Sequence, residues 1–284
     1  MDYIEDSSFI VMGKLMPTQD ALDLVPDHPY PAEIVPSVGA KACYDAHGKD
    51  GRSVKANVEK AVENQHLSVV EHMVVSIFIE GISRGLSHEL VRHRHFSFSQ
   101  RSTRYVDESV KRVVLEPRVL ELRETQPMAF QTYIAALGEA FIFYDGAVGD
   151  FMELAREHHP GTEVEMRKFA RGAARQLLPT AVETQMVVTG NLRTWREVLL
   201  LRSERYAEAE IRRLMHNLWH GFFKGLAPSV FSDFKEREVD GFTELYRVDG
   251  KDALLARAGI DINALLVENA NLQTQLGTLT GRKS

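Results

Sequence analysis

Residues 67–80, LSVVEHMVVSIFIE, constrain the fold more than any other stretch of the chain. Their β-branched residues predict a buried strand. The apolar runs within it, Met73–Val75 and Ile77–Ile79, are far too short to cross a bilayer. Val110–Leu115, closed by Pro117, and Thr184–Val188 predict two further strands. The other strong signals are helical. Val54, Val58, Ala61 and Val62 repeat at helical spacing through residues 53–65, and Ser83 to about Arg92 fits a short helix. Residues 126–157 and 162–177 predict two helices, separated by the breaker His159-Pro160-Gly161. A long helix is expected from about Arg193 to Leu226, with Val198, Leu201, Ile211, Leu214 and Leu218 on its apolar positions. Strands early and long helices later predict an α+β fold.

The proline-rich segment 1–40 (Pro17, Pro26, Pro29, Pro31, Pro36) reads as irregular. A main domain is expected over 41–228, with a helical appendage over 229–284. Leu254, Leu255, Ile260, Ile262, Leu265 and Leu266 suggest a packing arm or oligomer contact there. With 284 residues the chain can bury a large core without staples. A single cysteine, Cys43, excludes an intramolecular disulfide and Cys-type zinc sites. On its apparently helical stretch it reads as a small core residue. The net charge of −6 argues against a general nucleic-acid coating role. The start, MDYIEDSSF, has no apolar signal region, so a soluble cytoplasmic protein is expected, with no membrane partner.

Residues 88–105 reverse that acidic balance. Within these 18 positions stand four Arg, three His, three Ser, one Thr and no Lys. Planar guanidinium groups bind phosphate or carboxylate through paired hydrogen bonds. Such a cluster otherwise serves as a solvated face paired with acidic neighbours. Here Phe96, Phe98 and Tyr105 interleave with the charges, which predicts partial burial and a phosphorylated small-molecule ligand. His88-Glu89 begins like a zinc-protease helix, but Arg92 occupies the place of the second histidine, so no metal site is expected.

Arg92-His93-Arg94, seven residues, and then Ser102 resembles the signature of the flavin-dependent thymidylate synthases, and Arg104-Tyr105 continues it. His66-Leu-Ser68-Val-Val-Glu71-His72, Arg175-Gln-Leu-Leu-Pro179 and Asn191-Leu-Arg193-Thr-Trp-Arg extend the resemblance over about residues 40–225. It implies a small mixed or antiparallel sheet packed with long helices. It also implies reductive methylation of deoxyuridylate to thymidylate, with FAD as carrier and methylenetetrahydrofolate and NADPH as co-substrates. The assembly it implies is a homotetramer with active sites shared between subunits. A relative that installs a hydroxymethyl group, or a non-catalytic flavin or nucleotide binder, are the alternatives.

By the same resemblance Ser68, Arg92, His93, Arg94, His95, Asn191, Arg193 and Glu197 face FAD. Glu89, Arg92, Gln100, Arg101, Ser102, Thr103, Arg104, Arg175 and Arg202 face deoxyuridylate. Arg202 is the arginine that polarises the pyrimidine, His66 its neighbour, and Ser102 a polarising hydroxyl. A serine without an adjacent base is a poor nucleophile. Four positions depart from the family's pattern. Glu197 stands where His or Asn is usual, Tyr206 where His is usual, Arg101 where an uncharged residue is usual, and Thr103 where Gly or Gln is usual.

Overall fold

The computed structural model describes residues 1–23, 25, 28–43, 51–108 and 112–247. The packing arm suggested by Leu254 to Leu266 lies outside these residues. The chain opens with β1 (Asp2–Ile4), β2 (Ser8–Lys14), α1 (Gln19–Asp23) and α2 (Ile34–Cys43). The described part of the first forty residues is therefore not irregular: Pro17 and Pro29 fall between elements, Pro31 starts a 3₁₀ turn, and Pro36 lies in the first turn of α2. α3 (Val54–Glu63) follows, started by Ser53, whose hydroxyl accepts from the Ala56 amide.

The expected strand 67–80 splits in two. Leu67–His72 form a 3₁₀ turn, and β3 runs over Val74–Ser83. Next come α4 (Arg84–Leu90), β4 (Ser97–Gln100), β5 (Arg112–Val114), α5 (Pro117–Thr125) and α6 (Pro127–His158). α7 (Glu163–Ala174) starts at a reciprocal cap between Thr162 and Glu165. β6 (Glu183–Asn191) leads into α8 (Leu192–Ser203).

The single long helix expected over 193–226 is broken. α8 ends at Ser203, and α9 (Ala209–Leu218) begins after Glu208 and runs on through helical turns to Leu226. A hairpin, β7 (Phe234–Val239) and β8 (Phe242–Arg247), packs on both helices where a helical appendage was expected. The Leu245 amide donates to Ser203 Oγ at 2.9 Å, fixing the end of α8.

One antiparallel sheet in the order β2-β3-β6-β4 organises the molecule, with β1 and β5 pairing in parallel beside it. Val75, Ile77 and Ile79 of β3 and Met186 and Val188 of β6 point into the main core, where they meet Trp195, Leu199, Ile211 and Leu214. Ala32 and Leu245 lie in the same core, so the segments flanking 41–228 belong to one packed body. Phe130, Leu137 and Phe141 of α6 form a second cluster with Val113 and Val182.

The 3₁₀ turn and the tight segment 91–96 both hang from this sheet. Phe96 is buried over Gly190, where an added Cβ would meet its ring at 2.2 Å. Its ring also packs on Trp195, at 4.6 Å between ring centroids, and on Phe98. Gly190→Ala is therefore expected to destabilise the fold by about 1–3 kcal/mol through overpacking. Thermal melting would show the drop; an unchanged Tm would mean that Phe96 has another resting place.

Candidate functional site

Arg202 stands in the last turn of α8, between the short helix α4 and the turn that follows it. Its Nε donates to His93 Nε2 at 3.0 Å, its Nη1 to the Glu89 carboxylate at 2.8 Å and its Nη2 to the Glu89 carbonyl at 3.3 Å. Three of the five guanidinium donors are thus used, which leaves one on each terminal nitrogen. Burial, and then the Arg202 charge, push the His93 pKa down, which favours a neutral ring. Because Nε2 accepts, the ring proton sits on Nδ1. Burial and the nearby Glu208 raise the Glu89 pKa, and Arg202 opposes them. The imidazole bonded to Arg202 is thus His93, where the sequence pointed to His66.

His66 and Ser68 instead line a cavity of about 460 Å³ between α2, α3 and the 3₁₀ turn. Arg52, Lys60, Asn57 and Asn64 share its wall with Cys43. Cys43 is exposed, not the core residue expected. Glu71, His95, Asn191, Arg193, Thr194 and Glu197 line a second, smaller concavity of about 230 Å³. Ser68 and Glu71, three residues apart in the 3₁₀ turn, contribute one to each hollow.

Asn191 is also the N-cap of α8, accepting from the Thr194 amide at 2.9 Å. Arg193 lies between Glu71 at 2.6 Å and Glu197 at 3.5 Å, and these contacts raise its pKa, the hydrogen bond to Glu71 first. Glu197 is therefore neutralised by the residue one helical turn before it. Arg196, the next residue but two along the helix from Arg193, is buried and turned to Asp233. Tyr206, another departure, is almost fully exposed beyond α8. Arg92, Arg94 and His95 are exposed on the turn after α4, and among the described residues neither arginine has an ion-pair partner.

The segment 100–104 does not present all its side chains outward, as the sequence suggested. Gln100 donates to Ser87 Oγ at 2.8 Å, Thr103 is buried, and Arg101 pairs with Glu108 at 2.8 Å and Glu183 at 3.2 Å. Ser102, half-buried, accepts from the Arg104 amide at 3.3 Å. Arg104 is exposed and lies across Gly172 of α7, where an added Cβ would meet its Nε at 3.5 Å. Arg175, also exposed, follows α7 and lowers the pKa of Arg84, behind burial and Arg101. Neither Arg104 nor Arg175 has an ion pair among the described residues. Glu71, Arg52, Lys60, Glu108 and Glu183 went unassigned in the sequence; only Glu71 lies within a motif that stood out.

These parts suit a dinucleotide and a nucleotide. The larger hollow is within the usual size of a ligand site, and its wall combines cations, amides and a hydroxyl. The unpaired arginines supply what anionic phosphates require. No three His, Cys, Asp or Glu side chains gather as a metal-ligand set among the described residues.

Comparison with known proteins agrees with this arrangement. The family described as Thymidylate synthase complementing protein matches residues 27–229. The flavin-dependent thymidylate synthase of Mycolicibacterium gilvum is 38% identical over 208 residues, covering 72% of this chain and 80% of the relative. The structure is similar to thymidylate synthase X of Helicobacter pylori, solved with FAD and dUMP, with a TM-score of 0.53, 22% identity, and 80% of this chain and 98% of that chain covered. It is also similar to the UMP/dUMP methylase PolB of Streptomyces cacaoi, solved with 5-Br dUMP, with a TM-score of 0.60, 17% identity, and 82% and 96% covered. At those identities the two structures speak for the fold. With the family match spanning most of the chain, and a relative at 38% identity behind it, the protein belongs to the flavin-dependent thymidylate synthase family.

Proposed function

We propose that this chain is a flavin-dependent thymidylate synthase, methylating deoxyuridylate with methylenetetrahydrofolate as one-carbon donor and NADPH as reductant. The observation that carries the reading is the Arg202 fork. His93 and Glu89 hold it in one orientation and leave two donors for the polar edge of a pyrimidine. Hydrogen bonds to a pyrimidine carbonyl draw electron density from the ring as charge develops there. His93, kept neutral, orients the fork without adding a competing charge.

Ser68 and His66 in the larger hollow, His95, Asn191, Arg193 and Glu197 in the smaller one, and Arg92 and Arg94 beside them would hold FAD. That cofactor supplies the electron-transfer chemistry when bound. Ser102, Arg104 and Arg175 would bind the nucleotide phosphate, with the backbone of Gln100–Thr103 beneath it. Among the described residues Ser102 has no general base in hydrogen-bond contact, which supports a binding and polarising role over a nucleophilic one.

The test is an absorption spectrum of the protein after FAD is added and the excess removed. NADPH follows without oxygen, with and without deoxyuridylate. Bound flavin that bleaches faster with deoxyuridylate is the expected result. Flavin that binds but does not bleach would overturn the synthase reading in favour of a binder.

A homotetramer with shared sites goes with this reading. Ile10 and Met12 project from β2 on the face opposite the core, 56% and 61% exposed. Phe78 and Val187 lie on that face too, so it is apolar enough to pack against another copy. Ile10→Asp with Met12→Asp is expected to shift sedimentation to a smaller species; an unchanged mass would remove this face from the interface. A cytoplasmic location also belongs to the proposal. Among the described residues no helix is long and apolar enough to cross a membrane.

A further inference from the structure

We infer that Arg101 is a positioning residue, locking the nucleotide loop from beneath rather than touching the nucleotide. The inference rests on reading that loop as the deoxyuridylate site. Arg101 directly follows β4. Its amide donates to the Gln185 carbonyl at 3.0 Å, and its carbonyl accepts from Arg84 Nη2 at 2.6 Å. The guanidinium then turns inward and bridges two carboxylates, Glu108 at 2.8 Å and Glu183 at 3.2 Å. Glu108 lies seven residues on from Arg101. Glu183 opens β6 and also holds Arg112 of β5 at 3.2 Å. One side chain therefore joins the start of the loop, a point seven residues along it and the sheet below.

The residues between these anchors divide accordingly. Gln100 and Thr103 are turned inward, while Ser102 and Arg104 are left on the open side, with their backbone fixed at both ends. A loop ordered before the ligand arrives spares the ligand the cost of ordering it.

The lock is poorly suited to a purely stabilising role. Glu108 and Glu183 are almost fully buried, and Arg101 Nε, Arg84 Nε and Glu108 Oε1 are buried without a hydrogen-bond partner. Buried ionic networks with unsatisfied atoms gain little over apolar side chains of similar size. Burial, ahead of the attraction of Arg101 and Arg84, raises the Glu108 pKa, as the cost of the pair requires. An uncharged residue at position 101, usual in the family, would avoid that cost. In this chain the pair ties loop geometry to a specific contact.

The experiment uses the full-length protein loaded with FAD and titrated calorimetrically with deoxyuridylate. It compares wild type with Arg101→Leu, Arg101→Lys and Arg101→Leu/Glu108→Leu. The single leucine variant strands a buried carboxylate and is expected to melt lower. The double variant removes Arg101 and Glu108 together and leaves Glu183 paired with Arg112, so its Tm should recover to near that of wild type. Its affinity for deoxyuridylate should nevertheless fall about tenfold, with the FAD titration overlaying wild type, and the lysine variant should lie between. A double variant that binds deoxyuridylate as wild type does would overturn the positioning role. So would one that melts well below wild type and loses flavin and nucleotide together, because the pair would then serve only the fold. Wild type that holds FAD but binds no deoxyuridylate would overturn the proposed function, and the lock's role with it.

Discussion

Arg202→Ala lowers turnover on deoxyuridylate by about 10²–10³-fold, the usual effect of removing a preorganised donor from a developing charge, while flavin stays bound. Its three protein contacts all go to the α4 end, His93 and Glu89. None goes to a residue lining either hollow, so truncation leaves those walls intact. The fold should also tolerate the change. Glu89 is only half-buried, so water can solvate its carboxylate when the cation is lost. Steady-state turnover at saturating nucleotide measures the first part, and the flavin absorbance of the gel-filtered variant the second. Equal loss of flavin and turnover would show that Arg202 holds the site together and does not act on the pyrimidine.

Removing Arg92 and Arg94 together should do the converse. Both guanidinium groups are exposed on a turn, without ion-pair partners among the described residues, so their truncation breaks no contact within the protein. Each hydrogen bond from a charged group to an anion is worth about 1.5–3 kcal/mol. Arg92→Ala/Arg94→Ala is therefore expected to weaken FAD binding by at least about 10²-fold at an unchanged Tm. A flavin titration followed by fluorescence quenching checks the affinity, and calorimetry checks the melting point. Unchanged affinity would remove these arginines from the flavin site. A lowered Tm would show that they hold the turn instead.

Much of the scaffold is legible in the residues. The breaker at 159–161 separates α6 from α7, and the helical spacing of Val54, Val58, Ala61 and Val62 marks α3. The hairpin over 234–247 has a readable signal as well. Asp240-Gly241 both adopt positive φ, 52° and 77°, the two-residue turn that Asp-Gly favours. The alternation on either side is masked by charged residues exposed along β7, so the strands read as featureless chain.

The break between α8 and α9 has no such signal. Ser203–Glu208 contain neither Gly nor Pro, and local preference would carry the helix through. β8 interrupts it from outside, through the Leu245 bond to Ser203 and the Glu244 contact with Arg205 at 3.7 Å.

What the sequence determined by itself was the chemical inventory: a dense arginine and histidine segment, its spacing to Ser102, and the helix that carries Arg202. Charge and residue type are properties of a single position, so they survive without coordinates. Partnership is not. Arg101 and Arg104 look alike in the chain, yet one is consumed by two buried carboxylates while the other stays exposed. His66 was the histidine expected beside Arg202, and the tertiary fold puts His93 there instead. Which cation meets which anion depends on contacts between residues as far apart as Arg193 and Glu71 or Arg213 and Asp6, and the tertiary fold alone sets those.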